Sequence, residues 1–325
     1  RSMGWGEVRR LAVALVILLG AACSNPHHGA ATSPSSGGAD AARTPAAATL
    51  PKLHFSNVVL IMLENQEEPN LIGNGDAPYL SQLAAQHTLL SQSYAITHPS
   101  LPNYLALISG HTFGVTQDCN TCFQSAPTLA DQLEAAGRTW MGYFEDMPAP
   151  CTLGDGPDYV QHHNPFVYFD AIRLDAARCQ AHTVPFTQLV TEIAAGSLPD
   201  FAWISPNLCH DLHNCGPADG DAWLAQTVPQ LLATPPFQPG GAGLLIITTD
   251  EGTSNAGCCG DAAGGHIATV LVSPLLPSGT VIDTPVSPYG LLRMLEDNWG
   301  LAPLGHAAEQ PGLLGSLSAL PAAGP

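Results

Sequence analysis

Residues 58–65 read Val-Val-Leu-Ile-Met-Leu-Glu-Asn: six apolar residues followed at once by an acid and an amide. An unbroken apolar run with β-branched residues predicts a strand that is buried in a parallel sheet. Residues 243–249, Gly-Leu-Leu-Ile-Ile-Thr-Thr, have the same character and lead directly into Asp250 and Glu251. The sequence therefore predicts two core strands whose carboxyl ends both carry acidic side chains.

Apolar segments with strand or helix spacing alternate along the rest of the chain. We predict further strands at 89–96, 139–144, 201–204 and 267–273, and helices at 77–87, 104–109, 129–136, 184–195, 221–233 and 289–301. Such alternation predicts an α/β fold, in the form of a three-layer α/β/α sandwich with a mainly parallel central sheet.

Polar clusters stand at four of the predicted strand ends. They are Glu64-Asn65, the turn around Ser100, the segment His210-Asp211-Leu212-His213, and Asp250-Glu251. Parallel strands place their carboxyl ends at one edge of a sheet, where sites form in open α/β folds. We therefore expect these four clusters to converge on one site.

The turn at residues 97–104 reads Thr-His-Pro-Ser-Leu-Pro-Asn-Tyr, and its two prolines make it stiff. We expect Ser100 to lie just before the first helical turn, with Pro102 near the first helical position. Free backbone N–H groups there favour an anion, and a hydroxyl held at that point suits attack on a phosphoryl or acyl centre. The alternative is that Ser100 is only a helix cap.

The charge of the chain limits what it binds. Its formal net charge is −18, which argues against nucleic acid as a partner because little is available to neutralise phosphates. From Pro51 onward the cations are Lys52, Arg138, Arg173, Arg178 and Arg293. An enzyme that acts on phosphate with so few cations needs a bound metal ion, and an acidic surface favours small phosphoester substrates.

The first fifty residues predict an export signal and a linker, and the folded domain begins after them. Arg9 and Arg10 precede an apolar run at 11–22 that is short for a bilayer span, and Cys23 follows small residues. Residues 1–23 are therefore predicted to be a signal peptide with a lipobox-like end. A lipidated Cys23 would make the protein a bacterial cell-surface lipoprotein tethered to a membrane, and simple secretion is the alternative. Residues 24–50 predict a disordered linker, and residues 51–325 the catalytic domain.

Eight cysteines remain after Cys23. In an exported protein this number predicts up to four disulfides, whose connectivity the sequence does not determine. A zinc site at Cys119-x-x-Cys122 is the competing interpretation.

Five motifs together resemble the secreted bacterial and fungal phosphoesterase family of acid phosphatases and phospholipases C, within the alkaline phosphatase superfamily. They lie at 61–65, 97–104, 163–166, 205–211 and 249–252. The resemblance implies an alkaline-phosphatase-like fold and a divalent metal ion, with Mg, Ca, Mn or Zn as candidates. It implies metal binding by Glu64, Asn65, Ser100, Asp250 and Glu251.

The resemblance also implies catalytic roles. Ser100 would be the nucleophile that is phosphorylated in turnover, Asn103 would stabilise the transferring group, and His163 would be the general acid. His266 lies near the position, late in the chain, at which superfamily members with two metal ions have a histidine ligand. His210, Asp211 and His213 are candidates for a second metal site.

We accordingly expect an exported, metal-dependent acid phosphatase that hydrolyses phosphomonoesters through a phosphoserine at Ser100. The alternatives are a phospholipase C or other phosphodiesterase, and a catalytically silent surface lipoprotein. A serine esterase would require a Gly-x-Ser-x-Gly elbow, which is absent around Ser100.

Overall fold

An eight-stranded sheet forms the centre of the computed structural model, which describes residues 53–321. The predicted signal peptide and linker lie outside these residues. The sheet order is β10-β2-β9-β7-β1-β6-β4-β5, and β3 pairs with β8 in a separate ribbon. The strands are β1 (Asn57–Leu63), β2 (Thr88–Leu90), β3 (Ser93–Tyr94), β4 (Trp140–Phe144), β5 (Thr183–Pro185), β6 (Phe201–Ser205), β7 (Gly243–Thr249), β8 (His266–Ile267), β9 (Thr269–Val272) and β10 (Thr280–Ile282).

The sheet is mainly parallel, as predicted. Strands β7, β1, β6, β4 and β5 pair in parallel, and β10 pairs in parallel with β2. Only β9, between β7 and β2, runs against its neighbours in this sheet. Strand β1 lies near the centre, and its residues after Asn57 are all buried, which explains why its sequence is apolar without alternation.

Helices cover both faces of the sheet. They are α1 (Pro78–Gln86), α2 (Ser100–Ser109), α3 (Leu129–Ala135), α4 (Asp170–Arg173), α5 (Ala176–His182), α6 (Thr187–Ala195), α7 (Pro217–Leu232), α8 (Pro288–Trp299) and α9 (Leu313–Ser318). Alternate residues of β1 face opposite cores: Val58 packs in the core with α2, α3, α8 and α9, and Val59 packs with α1, α6 and α7. The three-layer α/β/α prediction is confirmed.

Several predicted elements differ from the structure. The strand predicted at 267–273 is divided into β8 and β9, and the helices predicted at 104–109 and 221–233 begin earlier, at Ser100 and Pro217. The strand predicted at 89–96 is divided, because polar Ser91 and Gln92 turn the chain out of the main sheet between β2 and β3. The helix predicted at 184–195 begins later, because residues 183–185 extend the sheet as β5 and the helix starts only at Thr187.

Four disulfides join the eight cysteines in sequence order: Cys119–Cys122, Cys151–Cys179, Cys209–Cys215 and Cys258–Cys259. Because Cys119 and Cys122 bond to each other, they offer no thiolates, and the zinc interpretation of this pair is wrong for the oxidised chain. Among residues 53–321, no helix has the length and apolar character needed to cross a bilayer.

Candidate active site

Three neighbouring strands bring acidic residues together at one edge of the sheet. In the parallel pair β1–β7, Leu63 lies opposite Thr249, so Glu64 and Asp250 leave the sheet side by side. The backbone N–H of Asp250 donates to the Leu63 carbonyl at 2.9 Å. On the other side, the N–H of Glu64 donates to the carbonyl of Asp211, in the segment after β6, at 2.7 Å. The expected convergence of strand ends is found for these three clusters.

Ser100 completes this acidic cluster as the first residue of α2, where it is buried. Its Oγ donates to Glu64 Oε2 at 2.9 Å and lies 3.3 Å from Glu251 Oε1. The helix cap is Pro99, and no side chain caps the helix from that position. The cap interpretation of Ser100, and its expected position just before the helix, are therefore wrong: the hydroxyl faces carboxylates instead of the helix N–H groups.

Two side chains hold Glu64 in place. Tyr104 lies one helical turn after Ser100, and its hydroxyl donates a hydrogen bond to Glu64 Oε1. Asn65, with φ of 57°, donates its side-chain Nδ2 to Glu64 Oε2 at 3.1 Å. Its backbone N–H reaches Asp250 Oδ1, also at 3.1 Å. With the amide nitrogen used in this way, the side-chain oxygen of Asn65 remains the atom that can bind a metal.

His163 lies at the back of the cluster between two acids. Its Nδ1 is 3.0 Å from Asp211 Oδ2, and its Nε2 is 3.4 Å from Glu64 Oε1. The imidazole stacks on Tyr104 with the rings 5° from parallel and lies 6.0 Å from the ring of His213. Burial, with a smaller contribution from His213, lowers the pKa of His163 to about 3. A neutral imidazole in this place is better suited to bind a metal than to donate a proton in mildly acidic solution.

The carboxylates of the cluster are hard to ionise together. Burial raises the pKa of Glu64 well above its ordinary value, and the charges of Asp250 and Asp211 raise it further. Burial and the charge of Glu251 raise the pKa of Asp250, while burial raises that of Glu251 and brings that of Asp211 to about 7. Several buried carboxylates in contact require a compensating positive charge.

The arginines of residues 53–321 do not supply that charge. Each pairs with an acid elsewhere: Arg138 with Asp200, Arg173 with Asp170, Arg178 with Asp131 and Glu134, and Arg293 with Asp297. The basic groups beside the cluster are histidines. His98 contacts Glu251 through Nδ1 and the Ser254 carbonyl through Nε2, which holds Glu251 against the turn.

Orphaned buried atoms in the cluster fit a divalent cation. Asp250 Oδ2 and His163 Nε2 are buried and have no hydrogen-bond partner, and Asp211 Oδ2 is buried against His163 Nδ1 at 3.0 Å. Buried polar atoms normally have a partner, so two unpartnered atoms in one cluster indicate a missing ligand. Carboxylate oxygens with a few imidazoles suit Mg, Ca, Mn or Zn. Cys209, Cys215 and Asp219 also lie close together, but the two sulfurs are bonded to each other.

Three residues expected in the site have other contacts. Asn103 uses its whole amide on the turn: Oδ1 accepts from the N–H groups of Ile96 and Thr97, and Nδ2 donates to the carbonyls of Thr97 and Pro99. Asn103 therefore holds the nucleophile turn in shape, and has no free donor for a phosphoryl oxygen in this structure.

The other two are histidines that point away from the acidic cluster. His266 Nε2 lies 2.8 Å from the Ser91 carbonyl, and its ring stacks on Tyr94. His210 Nδ1 lies 2.8 Å from Glu145 Oε2. Of the expected second metal set, Asp211 and the nearby His213 remain beside His163, whereas His210 belongs to a separate pair.

Tyr104 and His98 contribute to the site although the motif analysis gave them no role. Tyr104 could have been found from helical spacing, because positions four apart on a helix share a face. His98 had no such signal, since its contact with Glu251 joins residues 153 positions apart.

Named relatives of the chain are phosphatases. The phosphatidylinositol-3-phosphatase of Mycobacterium tuberculosis is 34% identical over 270 residues, which cover 82% of this chain and 83% of that protein. Acid phosphatases of Aspergillus fumigatus and Penicillium chrysogenum are 31% and 32% identical over 78% of this chain. The chain spans 56% and 61% of the length of these two fungal relatives.

Solved structures support the same fold. A Vibrio parahaemolyticus protein of the alkaline phosphatase superfamily matches with a TM-score of 0.53 and 14% identity, over 79% of this chain and 70% of that one. The lipoteichoic acid synthase LtaP of Listeria monocytogenes matches with a TM-score of 0.56 and 9% identity, over 82% of this chain and 77% of that one. Identities this low establish the architecture alone.

The site holds a serine hydroxyl against carboxylates at the start of a helix. Together with the fold and the phosphatase relatives, this site defines a hydrolase that acts on phosphoric ester bonds. The model of the Phosphoesterase family matches residues 70–302, and the chain belongs to that family. The resemblance noted in the sequence is confirmed.

Proposed function

We propose that the protein is an exported, metal-dependent acid phosphatase that hydrolyses phosphomonoesters through a phosphoserine at Ser100. The observation that carries this proposal is the contact of Ser100 Oγ with Glu64 Oε2 at 2.9 Å, at the start of α2. A hydroxyl in contact with a carboxylate has a proton acceptor, and the helix start favours the incoming phosphoryl group.

Glu64, Asn65, Ser100, Asp250 and Glu251 would hold the divalent cation, since hydrogen bonds join them in one cluster and Asp250 Oδ2 in that cluster has no partner. When bound, the cation supplies positive charge for the phosphoryl oxygens and favours ionisation of the serine hydroxyl. His163 carries the other unpartnered atom, Nε2, and together with Asp211 and the nearby His213 it would hold a second cation. His163 would then bind through Nε2 while Nδ1–H donates to Asp211, a common arrangement for a metal-ligating histidine.

The reaction follows from the contacts of Ser100. Oγ forms a bond to phosphorus, the bond from phosphorus to the leaving oxygen breaks, and the Oγ proton passes to the Glu64 carboxylate in contact with it, while the leaving oxygen takes a proton from solvent. In the second step water attacks the phosphoserine and loses a proton to solvent, the bond from phosphorus to Oγ breaks, and the released Ser100 oxygen recovers the proton held by Glu64. Asn103 and His98 act as positioning residues, the first on the turn and the second on Glu251.

The relatives favour monoesters as substrates. Four are named as acid phosphatases, one of these as a probable one, and a fifth as a phosphatidylinositol-3-phosphatase, so both a small phosphomonoester and a 3-phosphorylated inositol lipid are candidates. The acidic chain favours the small ester, because anionic membranes repel negative charge. Four disulfides support export to an oxidising compartment. The lipid tether at Cys23 remains a prediction.

Hydrolysis of a chromogenic phosphomonoester and of a phosphodiester tests the proposal, from acidic to mildly alkaline pH, with EDTA and with metal added back. We expect monoester turnover that EDTA abolishes and metal restores. Preference for the diester would instead support a phosphodiesterase or phospholipase C. Chelator-insensitive cleavage of a carboxylic ester would support a serine esterase, and no turnover by the folded, metal-loaded protein would support a silent binding protein.

Ser100→Ala should abolish turnover with the fold intact. Ser109→Ala is the matched control, because Ser109 is a buried serine at the other end of the same helix and its Oγ contacts the Leu105 carbonyl. Activity should survive in the control.

A further inference from the structure

The backbone N–H next to the nucleophile already carries a carboxylate. Asp118 Oδ1 accepts a hydrogen bond from the N–H of Leu101 at 2.9 Å. Leu101 is the second residue of α2, directly after Ser100, and Pro102 that follows it has no N–H to offer. An N–H in this position is a natural contact for an oxygen of a phosphoryl group that is transferred to Ser100.

The surroundings of Ser100 indicate that a ligand belongs there. Asp250, which contacts Ser100, is 1% exposed and its Oδ2 has no partner. Because Leu101 directly follows Ser100, the acidic cluster and the Asp118 carboxylate are both close to the place that a phosphoryl group on Ser100 Oγ would take.

Asp118 is held in this place by its loop. The disulfide Cys119–Cys122 follows it directly. The loop is also tied to the segment that carries the site histidines, because Gln161 Nε2 donates to the Asn120 carbonyl at 2.9 Å. The carboxylate is exposed, so solvent and an incoming substrate can reach it.

The charge of Asp118 affects the pKa values of several groups in the site. It raises the pKa of Glu251 and opposes the lowering of the pKa of His162 and His163 by burial. No lysine or arginine of residues 53–321 pairs with Asp118, because the four arginines are engaged elsewhere.

We propose that Asp118 discriminates against the doubly charged form of a phosphomonoester, so that the enzyme prefers the singly charged form that exists at acidic pH. This inference rests on the proposed phosphomonoesterase function. A phosphomonoester takes its second charge with a pKa near 6, whereas a phosphodiester carries one charge at all working pH values. Repulsion by a fixed carboxylate beside the phosphoryl group therefore weakens binding of the monoester further above this pKa, whereas its effect on the singly charged diester is the same at every pH.

The size of the effect follows from electrostatics. A unit charge about 4 Å away changes affinity roughly fivefold at the dielectric constant of bulk water, and more where water is partly excluded. The effect should shrink at high ionic strength, because the carboxylate is exposed.

Asp118→Asn isolates the charge. The asparagine keeps an acceptor oxygen for the Leu101 N–H, so the loop contact remains while the charge is removed. Asp118→Ala removes both. Asp76→Asn is the control for net charge, because Asp76 is exposed and precedes α1 on the opposite face of the sheet.

The test measures kcat/KM of the metal-loaded protein for a phenyl phosphomonoester and a diester at pH 5 and pH 8. For each ester, kcat/KM at pH 5 is divided by kcat/KM at pH 8. The value for the monoester is then divided by the value for the diester, and this quotient removes the effect of titration of the protein, which both esters share. We expect this quotient to fall about fivefold or more in Asp118→Asn and Asp118→Ala, and to stay unchanged in Asp76→Asn.

Binding of inorganic phosphate, measured by calorimetry at the same two pH values, tests the inference without turnover. The parent should bind the singly charged ion more tightly, and Asp118→Asn should lose that preference. If the parent hydrolyses no ester, the proposed function fails while this binding comparison still decides the role of Asp118. An unchanged quotient and phosphate preference in Asp118→Asn would overturn the inference. So would a loss of kcat for both esters, which would make Asp118 a proton donor.

Discussion

The hydroxyl of Tyr104 donates a hydrogen bond to Oε1 of Glu64 inside the protein core. Both side chains are fully buried, and the same tyrosine ring lies parallel to the imidazole of His163. One residue of α2 thus fixes a carboxylate at the end of β1 and stacks on a histidine from a distant loop. The nucleophile helix therefore carries Ser100 and also aligns the groups around it.

Tyr104→Phe should weaken metal binding about tenfold, because loss of a hydrogen bond to a ligating carboxylate costs about 10- to 100-fold in affinity. The ring and its stacking on His163 remain in this variant. The measurement is the metal concentration at which the Tm of the metal-free protein has risen by half of its maximal increase. Tyr94→Phe, whose hydroxyl contacts Gln92 instead, should titrate like the parent. Equal metal affinity in all three proteins would rule out this role for Tyr104.

Removal of the metal should destabilise the protein. The buried acids Glu64, Asp250 and Asp211 have no arginine or lysine partner among residues 53–321, so a bound cation stabilises only the folded chain. Metal at about 100 times its Kd should add about 2.7 kcal/mol to the free energy of unfolding. Thermal unfolding with EDTA and with added Mg, Mn, Ca or Zn measures the gain. Asp250→Asn should lose most of it, and a parent protein whose Tm no metal changes would speak against the site.

Glu296 makes stability fall as pH rises. It is buried in α8, accepts a hydrogen bond from the Leu304 N–H at 2.7 Å, and leaves Oε2 without a partner. Burial raises its pKa from 4.5 to about 7. Between these values the folded chain keeps a proton that the unfolded chain has lost, so the free energy of unfolding should fall by up to about 1.4 kcal/mol per pH unit.

Glu296→Gln should remove this contribution, because the amide oxygen still accepts from Leu304 and carries no charge. Denaturant unfolding of the chelated parent and variant at pH 5 and pH 8 gives the comparison. As pH rises, the free energy of unfolding of the parent should fall relative to that of the variant. A difference that is independent of pH would show that Glu296 has an ordinary pKa.

A disulfide that closes a longer loop should add more to the free energy of unfolding, because it restricts the unfolded chain more. Cys151–Cys179 closes a separation of 28 residues and Cys209–Cys215 one of 6. The chain-entropy relation gives about 3.6 and about 2.2 kcal/mol respectively. Paired Cys→Ser variants, unfolded in denaturant, should therefore rank in that order. The Cys209–Cys215 variant should also weaken metal binding, since Asp211 lies within its loop, and the reverse ranking would show that native contacts outweigh loop entropy.

The sequence predicted the sheet and the acids at its edge because both depend on local patterns. Glu64 and Asp250 directly follow buried apolar strands, and adjacent parallel strands bring such positions together. Ser100 was predicted from its turn, although the helix begins at Ser100 itself and the sequence predicted it only from residue 104.

The residues that sequence reasoning placed wrongly or missed belong to loops. Asp118 and His98 reach the site from segments whose paths depend on disulfides and on contacts between residues far apart in the chain. His266 and His210 lie in the expected segments, yet their rings face Ser91 and Glu145. Spacing along a chain indicates which segments meet, but the direction of each side chain depends on the packing around it.

The most direct test of the account is to trap the phosphorylated protein. Metal-loaded protein is mixed with a phosphomonoester, quenched in acid within the first turnovers, digested and examined by mass spectrometry. We predict a phosphate on the peptide that contains Ser100, and none in Ser100→Ala, which should also be inactive. Full activity in Ser100→Ala, or a phosphate carried by a different residue of the active parent, would contradict the assignment of Ser100 as the nucleophile.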